Sequence, residues 1–148
     1  MSDHRSVWLA TATHPAFDPL SADLDVDVAV VGAGITGLTT ALLLQRNGAR
    51  VAVIEAGRVG AGTTGHTTGK VSSQHGLKYH QLIHDVGEDK ARIYADANQQ
   101  AIGKIRELAD EVGADCGFET APSFLFTTAP DEVEDLEAEH AAAVRLGL

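Results

Sequence analysis

The chain has 148 residues, 44% hydrophobic and 22% charged, the proportions of a globular domain and neither disordered nor collagen-like. Eleven Lys and Arg against 21 Asp and Glu give a formal charge of -10, which argues against nucleic acid and membrane surfaces as partners. A single cysteine, Cys116, excludes an intrachain disulfide, a Cys-rich zinc site and an iron–sulfur cluster, and fits a reducing, cytoplasmic compartment.

Nothing in the chain reads as a secretory signal or a membrane span. His4 and Arg5 are not followed by an apolar stretch of about 7–15 residues. The longest apolar runs, 28–31 and 41–44, fall far short of the roughly 20 residues a membrane helix needs.

Residues 1–24, with Pro15 and Pro19, read as an irregular N-terminal arm without a motif of its own. Val26, Val28, Ala29, Val30 and Val31 then form a continuous apolar strand, a pattern that predicts burial on both faces of a parallel sheet. It runs into Gly32-Ala33-Gly34-Ile35-Thr36-Gly37, after which Leu38 and Ala41 to Leu44 recur at helical spacing. Gly48 is expected just past the end of that helix, and Val51 to Ile54 form a second strand. Residues 25–76 are therefore a β-α-β unit with a long loop. That loop, 57–76, holds six glycines and six Ser or Thr, too many for a mere connector.

Residues 77–148 read as a mainly helical region. One helix is expected near 78–86 and a longer one over 88–112, with Tyr94, Ala97, Ala101, Ile105, Leu108 and Val112 as its buried stripe. Residues 118–128 read as extended, interrupted by Pro122, and suggest a β-hairpin. Asp131 is expected to cap a last acidic helix that runs to Arg145.

GxGxxG alone is a weak signal. Here it follows a strand, opens a helix, and is followed by Glu55 at the end of the next strand, which is the context of a dinucleotide fingerprint. Gly32 permits the turn, Gly34 admits a pyrophosphate, and Gly37 lets helix and strand approach. The N–H groups of Ile35 and Thr36 sit at the positive helix end. Glu55 would accept the ribose hydroxyls and disfavour a 2′-phosphate. The alternative is a Gly-containing loop of some other α/β domain.

The stretch 27–38, with Ala41, Gly48 and Glu55, resembles the N-terminus of FAD-dependent oxidoreductases of the D-amino-acid-oxidase-like superfamily. Ser6-Val7-Trp8-Leu9 and Gly65-His66-Thr67-Thr68-Gly69-Lys70-Val71-Ser72-Ser73-Gln74-His75-Gly76 are similar to one bacterial branch, whose flavin domain precedes a C-terminal Rieske domain. The resemblance implies a Rossmann-like FAD-binding fold and oxidation of an amine or amino-acid-like small molecule. It also implies that loop 58–70 lies against pyrophosphate and flavin, offering Thr63, Thr64 and Thr67 hydroxyls and close approach at Gly60, Gly62 and Gly65. Arg58 would reach a phosphate or the adenine, or else is a solvated arginine. The run 61–66 resembles the dimethylglycine and sarcosine dehydrogenase loop that carries a histidine covalently linked to flavin. His66 is then either a covalent attachment point or a histidine that hydrogen-bonds or packs beside a non-covalent flavin.

Members of that superfamily are much longer, and two parallel strands are few for a sheet that usually has about five or six. The expectation is an N-terminal piece of a larger enzyme, with the missing C-terminal portion as a partner if it is a separate chain. No general base stands out. Two alternatives remain beside the flavoenzyme reading: a non-catalytic remnant that binds at most the ADP moiety, and an NAD-dependent dehydrogenase. His75, His80, His84 and Asp85 lack a third ligand set by spacing, so a solvated helix face is preferred to a metal site. Tyr79 and Tyr94 read as amphipathic packing residues more than as substrate groups.

Overall fold

The computed structural model describes residues 5–13 and 15–148; His4, named above, lies outside the described residues, as do the other three N-terminal positions and His14. The chain divides into two compact units, Met1–Lys70 and Val71–Leu148. The architecture is α/β, with a two-stranded parallel sheet among the described residues.

The first unit begins with a helix inside the arm that the sequence left irregular. Helix α1, Val7–Thr11, starts where the Ser6 hydroxyl accepts the Trp8 N–H at 3.2 Å. Strand β1, Val28–Val31, pairs in parallel with β2, Val51–Ile54, in the register Val28↔Val51 to Val31↔Ile54. Between them runs helix α2, Ile35–Arg46, which packs on both strands. Gly48 follows the Asn47 cap at φ +87°, a left-handed position that ends the helix as expected. Asp27 ties the two strands at their entry. It accepts the Arg50 backbone N–H at 2.8 Å and the Arg50 guanidinium at 2.9 Å.

Burial on both sheet faces is not what the structure shows. Val28 and Val30 are half-buried, whereas Ala29 and Val31 are exposed, Val31 at 85%. Helix α2 packs on the sheet, while Ala29, Val31, Val53 and Ile54 are exposed.

The second unit is three helices: α3, Tyr79–Val86; α4, Glu88–Glu111; and α5, Val133–Leu146. Their shared core is Tyr79, Ala91, Ala95, Ala142 and Leu146, edged by Leu82, Ile83, Tyr94 and Ala143. Alanines on facing helices let the backbones approach closely. The expected stripe of α4 is met in part: Tyr94, Ile105 and Leu108 are half-buried, and Tyr94 packs against the core. Ala97, Ala101 and Val112 are exposed, while Ala91, Ala95, Asn98, Ile102 and Ile105 turn inward at steps of three and four. The packing of α3 and α5 selects the face that carries Ala91 and Ala95.

Two other expectations are corrected. Residues 118–128 form no paired strands and hence no hairpin: Pro122 lacks a donor, and Phe124 and Phe126 are exposed at 77% and 84%. The segment is held instead by Arg106, whose guanidinium stacks on Phe118 at 4.6 Å and donates to Thr120 Oγ1 at 2.6 Å. Asp131 does not cap the last helix. It lies within a 3₁₀ turn, Pro130–Glu132, and the Thr127 hydroxyl accepts the Ala129 N–H at 3.0 Å just ahead of it.

The N-terminus of α3 is capped from afar. Glu139, 4% exposed, accepts the N–H groups of Lys78, Tyr79 and His80 at 2.8–2.9 Å, filling three of the donors a helix start leaves open. Among the described residues no helix is long and apolar enough to cross a membrane.

Candidate functional site

The Gly turn between β1 and α2 has the geometry its spacing predicts. Gly32 has φ +100°, a conformation that a side chain would strain. A Cβ on Gly37 would lie 2.0 Å from the Gly32 carbonyl oxygen, so only glycine lets α2 start this close to the strand end. Gly34 is the N-cap residue of α2, and a Cβ there would meet Thr64 Oγ1 at 3.2 Å. Gly34 thus keeps the approach to the helix N-terminus clear of a side chain. That is the cradle a pyrophosphate requires.

Glu55 follows β2 directly and closes over the turn. Its Oε2 accepts the Ala33 N–H and its Oε1 the Gly57 N–H, both at 2.8 Å. These bonds, Ala33 first, hold the exposed carboxyl below the ordinary glutamate value of 4.5. Each oxygen retains a second acceptor direction, so the carboxylate remains able to take ribose hydroxyls.

The second loop docks on this turn through its own backbone and one hydroxyl. The Gly60 N–H donates to the Ala33 carbonyl at 2.9 Å. The loop then winds into a 3₁₀ turn, Thr63–His66, which brings Thr64 Oγ1 to 3.0 Å from the Ile35 N–H. The Thr64 oxygen accepts there, which leaves its proton to donate outward. The structure therefore brings Gly32, Gly34, Ile35, Gly37, Glu55 and Thr64 into one cluster, with Thr36 on the first turn of α2.

The remaining loop residues divide. Thr63 and Arg58 are exposed, and Arg58 contributes a carbonyl that accepts the Ala61 N–H at 3.1 Å. Thr67 is engaged within the protein: its hydroxyl accepts the Gly69 N–H at 3.2 Å and its carbonyl accepts the Trp8 indole N–H at 2.7 Å. Gly65 is buried, and a Cβ on it would meet Leu9 Cδ2 at 2.8 Å and the Gly60 oxygen at 2.5 Å. Its lack of a side chain serves contact with α1, where the sequence suggested a ligand. His66 is exposed, and its Nδ1 lies 2.9 Å from the Gly62 carbonyl. A carbonyl only accepts, so Nδ1 carries a proton and Nε2 is left outside this bond.

Among the described residues, no cluster of three or more His, Cys, Asp and Glu could hold a metal ion. His84 Nδ1 pairs with Asp85 at 2.9 Å on α3. Tyr79 is buried in the helical core and donates to the Ser73 carbonyl, and the Tyr94 hydroxyl meets His75 Nδ1 at 2.7 Å. A concavity of about 510 Å³ in the second unit, floored by Gln74, Tyr79, Leu136 and Glu139, shares no residue with the Gly turn.

Sequence reasoning missed α1, the Asp27–Arg50 clasp and Glu139. Ser6 ahead of an apolar run was a signal for the first; the other two depend on long-range contacts.

Residues 27–148 match the family described as FAD dependent oxidoreductase (DAO). The chain is 40% identical over 141 residues to a putative Rieske 2Fe-2S iron–sulfur protein, YhfW, of Bacillus subtilis, covering 95% of this chain and 28% of that protein. It is 31% identical over 134 residues to the gamma-glutamylputrescine oxidoreductase of Escherichia coli, covering 89% of this chain and 31% of the relative. A probable oxidoreductase, OrdL, of Haemophilus influenzae is 34% identical over 100 residues, which cover 68% of this chain and 23% of OrdL. The chain thus spans less than a third of the length of these relatives. No solved structure matches it. The family's cofactor also weighs against the NAD-dependent alternative. With a Gly turn, an acidic strand end and a docked Thr loop in one unit, and with that match over residues 27–148, the chain belongs to the FAD-dependent oxidoreductase (DAO) family.

Proposed function

We propose that this chain is the dinucleotide-binding, N-terminal part of a Rossmann-like flavoenzyme that oxidises an amine or amino-acid-like substrate. The observation that carries the reading is the convergence of Glu55, Ile35 and Thr64 on the Gly turn, within hydrogen bonds of 2.8–3.0 Å. In this reading the Thr36 N–H and the outward proton of the Thr64 hydroxyl, whose oxygen takes the Ile35 N–H, hold the pyrophosphate of FAD. Glu55 takes the ribose, and its charge turns away a 2′-phosphate. Gly34 keeps side-chain bulk out of the approach. FAD when bound supplies the two-electron acceptor, and the protein supplies binding and orientation. The substrate class rests on the amine-linked name of one relative, gamma-glutamylputrescine oxidoreductase, and on the family resemblance.

His66 is placed on the loop that the reading sets against the flavin, with Nε2 available for a bond. Acid precipitation decides its role. Flavin that stays with the denatured parent protein and is lost from His66→Ala assigns a covalent link. Flavin released from both leaves His66 as a hydrogen-bonding residue.

A second reading is favoured by the exposed sheet, with Val31 at 85% and Ile54 at 43%. In it the chain alone binds only the ADP moiety, and the remainder of the flavin domain, on the same or a separate chain, completes the sheet and the substrate side. Purified protein separates the two. Retained flavin absorbance supports the first reading, and colourless protein that binds ADP supports the second.

A further inference from the structure

We infer that helix α1 is a brace for the second loop, and that Trp8 is its positioning residue. Three contacts converge on this. The Trp8 indole N–H donates to the Thr67 carbonyl at 2.7 Å. A Cβ on Gly69 would lie 2.7 Å from Trp8 Cζ2, so the indole rests on the backbone there. A Cβ on Gly65 would lie 2.8 Å from Leu9 Cδ2, so the next side chain of α1 rests on the 3₁₀ turn itself. A side chain at 65 would also meet the Gly60 carbonyl oxygen at 2.5 Å, and Gly69 has φ +77°, so both positions require glycine and α1 rests on the two surfaces this leaves open.

The brace acts on the residue that matters to the site. Thr64, whose hydroxyl accepts the Ile35 N–H, belongs to the same 3₁₀ turn that Leu9 covers and Trp8 closes at Thr67. A four-residue 3₁₀ turn that follows Gly62 and contains Gly65 has little intrinsic stability. Its position must come from what it leans on. On one side that is the Gly turn, through the bonds from Gly60 to Ala33 and from Ile35 to Thr64; the other support is α1. Helix α1 is itself short and carries no buried residue, so it holds through its Ser6 cap and through the indole bond. Loss of Trp8 should free the turn, and Thr64 with it, from the place where a pyrophosphate would be met.

Trp8 is the sole tryptophan of the chain, so its emission reports this contact alone. The test compares the full-length parent with Trp8→Ala and with Trp8→Phe, which keeps a ring over Gly69 but lacks the donor. Amide exchange over residues 62–69 should speed up by about tenfold in Trp8→Ala while the amides of β1, α2 and β2 stay as in the parent, with Trp8→Phe between. ADP affinity by calorimetry should fall roughly tenfold in Trp8→Ala and be partly restored in Trp8→Phe. In the parent, Trp8 emission should shift along the ADP binding isotherm. Equal exchange over 62–69 in parent and Trp8→Ala would overturn the brace. Faster exchange with unchanged ADP affinity would overturn the positioning role and leave a packing contact. The effect on ADP rests on the proposed function; a parent that binds no ADP defeats that function, while the exchange comparison still decides the brace.

Discussion

The Glu55 carboxylate accepts the Ala33 N–H at 2.8 Å, so the acidic residue at the end of β2 holds the shape of the Gly turn that follows β1. That side chain fixes the turn, and in the proposed function it also takes the ribose. Glu55→Ala should weaken ADP binding by roughly tenfold or more, because both the turn and the ribose lose a charged acceptor. Glu55→Gln keeps one carbonyl acceptor for Ala33 and should fall between. Unchanged calorimetric affinity in Glu55→Ala would remove Glu55 from the site.

The same carboxyl makes the first unit acid-sensitive. The Ala33 and Gly57 N–H groups hold Glu55 below its ordinary 4.5, and the Arg50 side chain holds Asp27 below its ordinary 3.8. In the second unit Glu88 is held below 4.5 by Arg145 first and by Arg92. In each case the unfolded chain takes up protons before the folded one. These contributions are complete above the ordinary carboxylate values and are lost as pH falls through the lower folded values. Thermal melts should therefore be flat near neutrality and decline below about pH 4.5. Stability that rises on acidification would contradict the assigned bonds.

The glycines of the fingerprint should separate by what surrounds them. A Cβ on Gly37 meets backbone at 2.0 Å, whereas one on Gly34 meets a single hydroxyl at 3.2 Å. Gly37→Ala should destabilise the first unit by about 1–3 kcal/mol, the usual cost of overpacking. Gly34→Val should spare helix content by circular dichroism while abolishing ADP binding. A Gly34→Val protein that binds ADP like the parent would place the pyrophosphate elsewhere.

In the second unit the buried Glu139 carboxylate satisfies three helix-start N–H groups of α3. Glu139→Ala should cost about 2–3 kcal/mol in chemical denaturation, the scale of losing charged hydrogen bonds where donors are left open. ADP binding in the first unit should be unchanged. A neutral effect on denaturation would mean that solvent replaces the carboxylate at that helix start.

The open sheet predicts behaviour in solution. Val31 at 85% exposure, with Val53 and Ile54 also exposed, leaves an apolar surface on a sheet that has two strands among the described residues. The chain should bind ANS and melt low. A monomer that melts cooperatively above about 60 °C without ANS binding would show that the present packing suffices.

The strand–Gly turn–helix–strand unit was legible because its signals are local: β-branched runs, glycine spacing and the step of the leucines in α2. Helix α4 was legible as a helix and in part of its inner face, Tyr94, Ile105 and Leu108, but not in its most buried residues, since Ala91 and Ala95 are marked only by what packs on them. Residues 118–128 have strand-like composition, yet a hairpin needs a partner that the composition does not supply. Long-range contacts, in the candidate site and outside it, were the hardest to read. Trp8 meets Thr67 across 59 residues of sequence, and Glu139 meets Tyr79 across 60. No periodicity links such pairs. The Thr64 bond to Ile35 lies between: the hydroxyl was named, but as a ligand donor, while its oxygen also closes the protein's own helix start.

The central claim is that the Gly turn, Glu55 and Thr64 form a site for the ADP half of FAD. Calorimetric titration of the parent protein with ADP, 2′-phospho-ADP and FAD in competition tests it most directly. The account predicts that ADP binds with one-to-one stoichiometry, that FAD displaces it, and that the 2′-phosphate weakens binding through Glu55. A protein that binds neither ADP nor FAD, or that takes 2′-phospho-ADP as tightly as ADP, would contradict it.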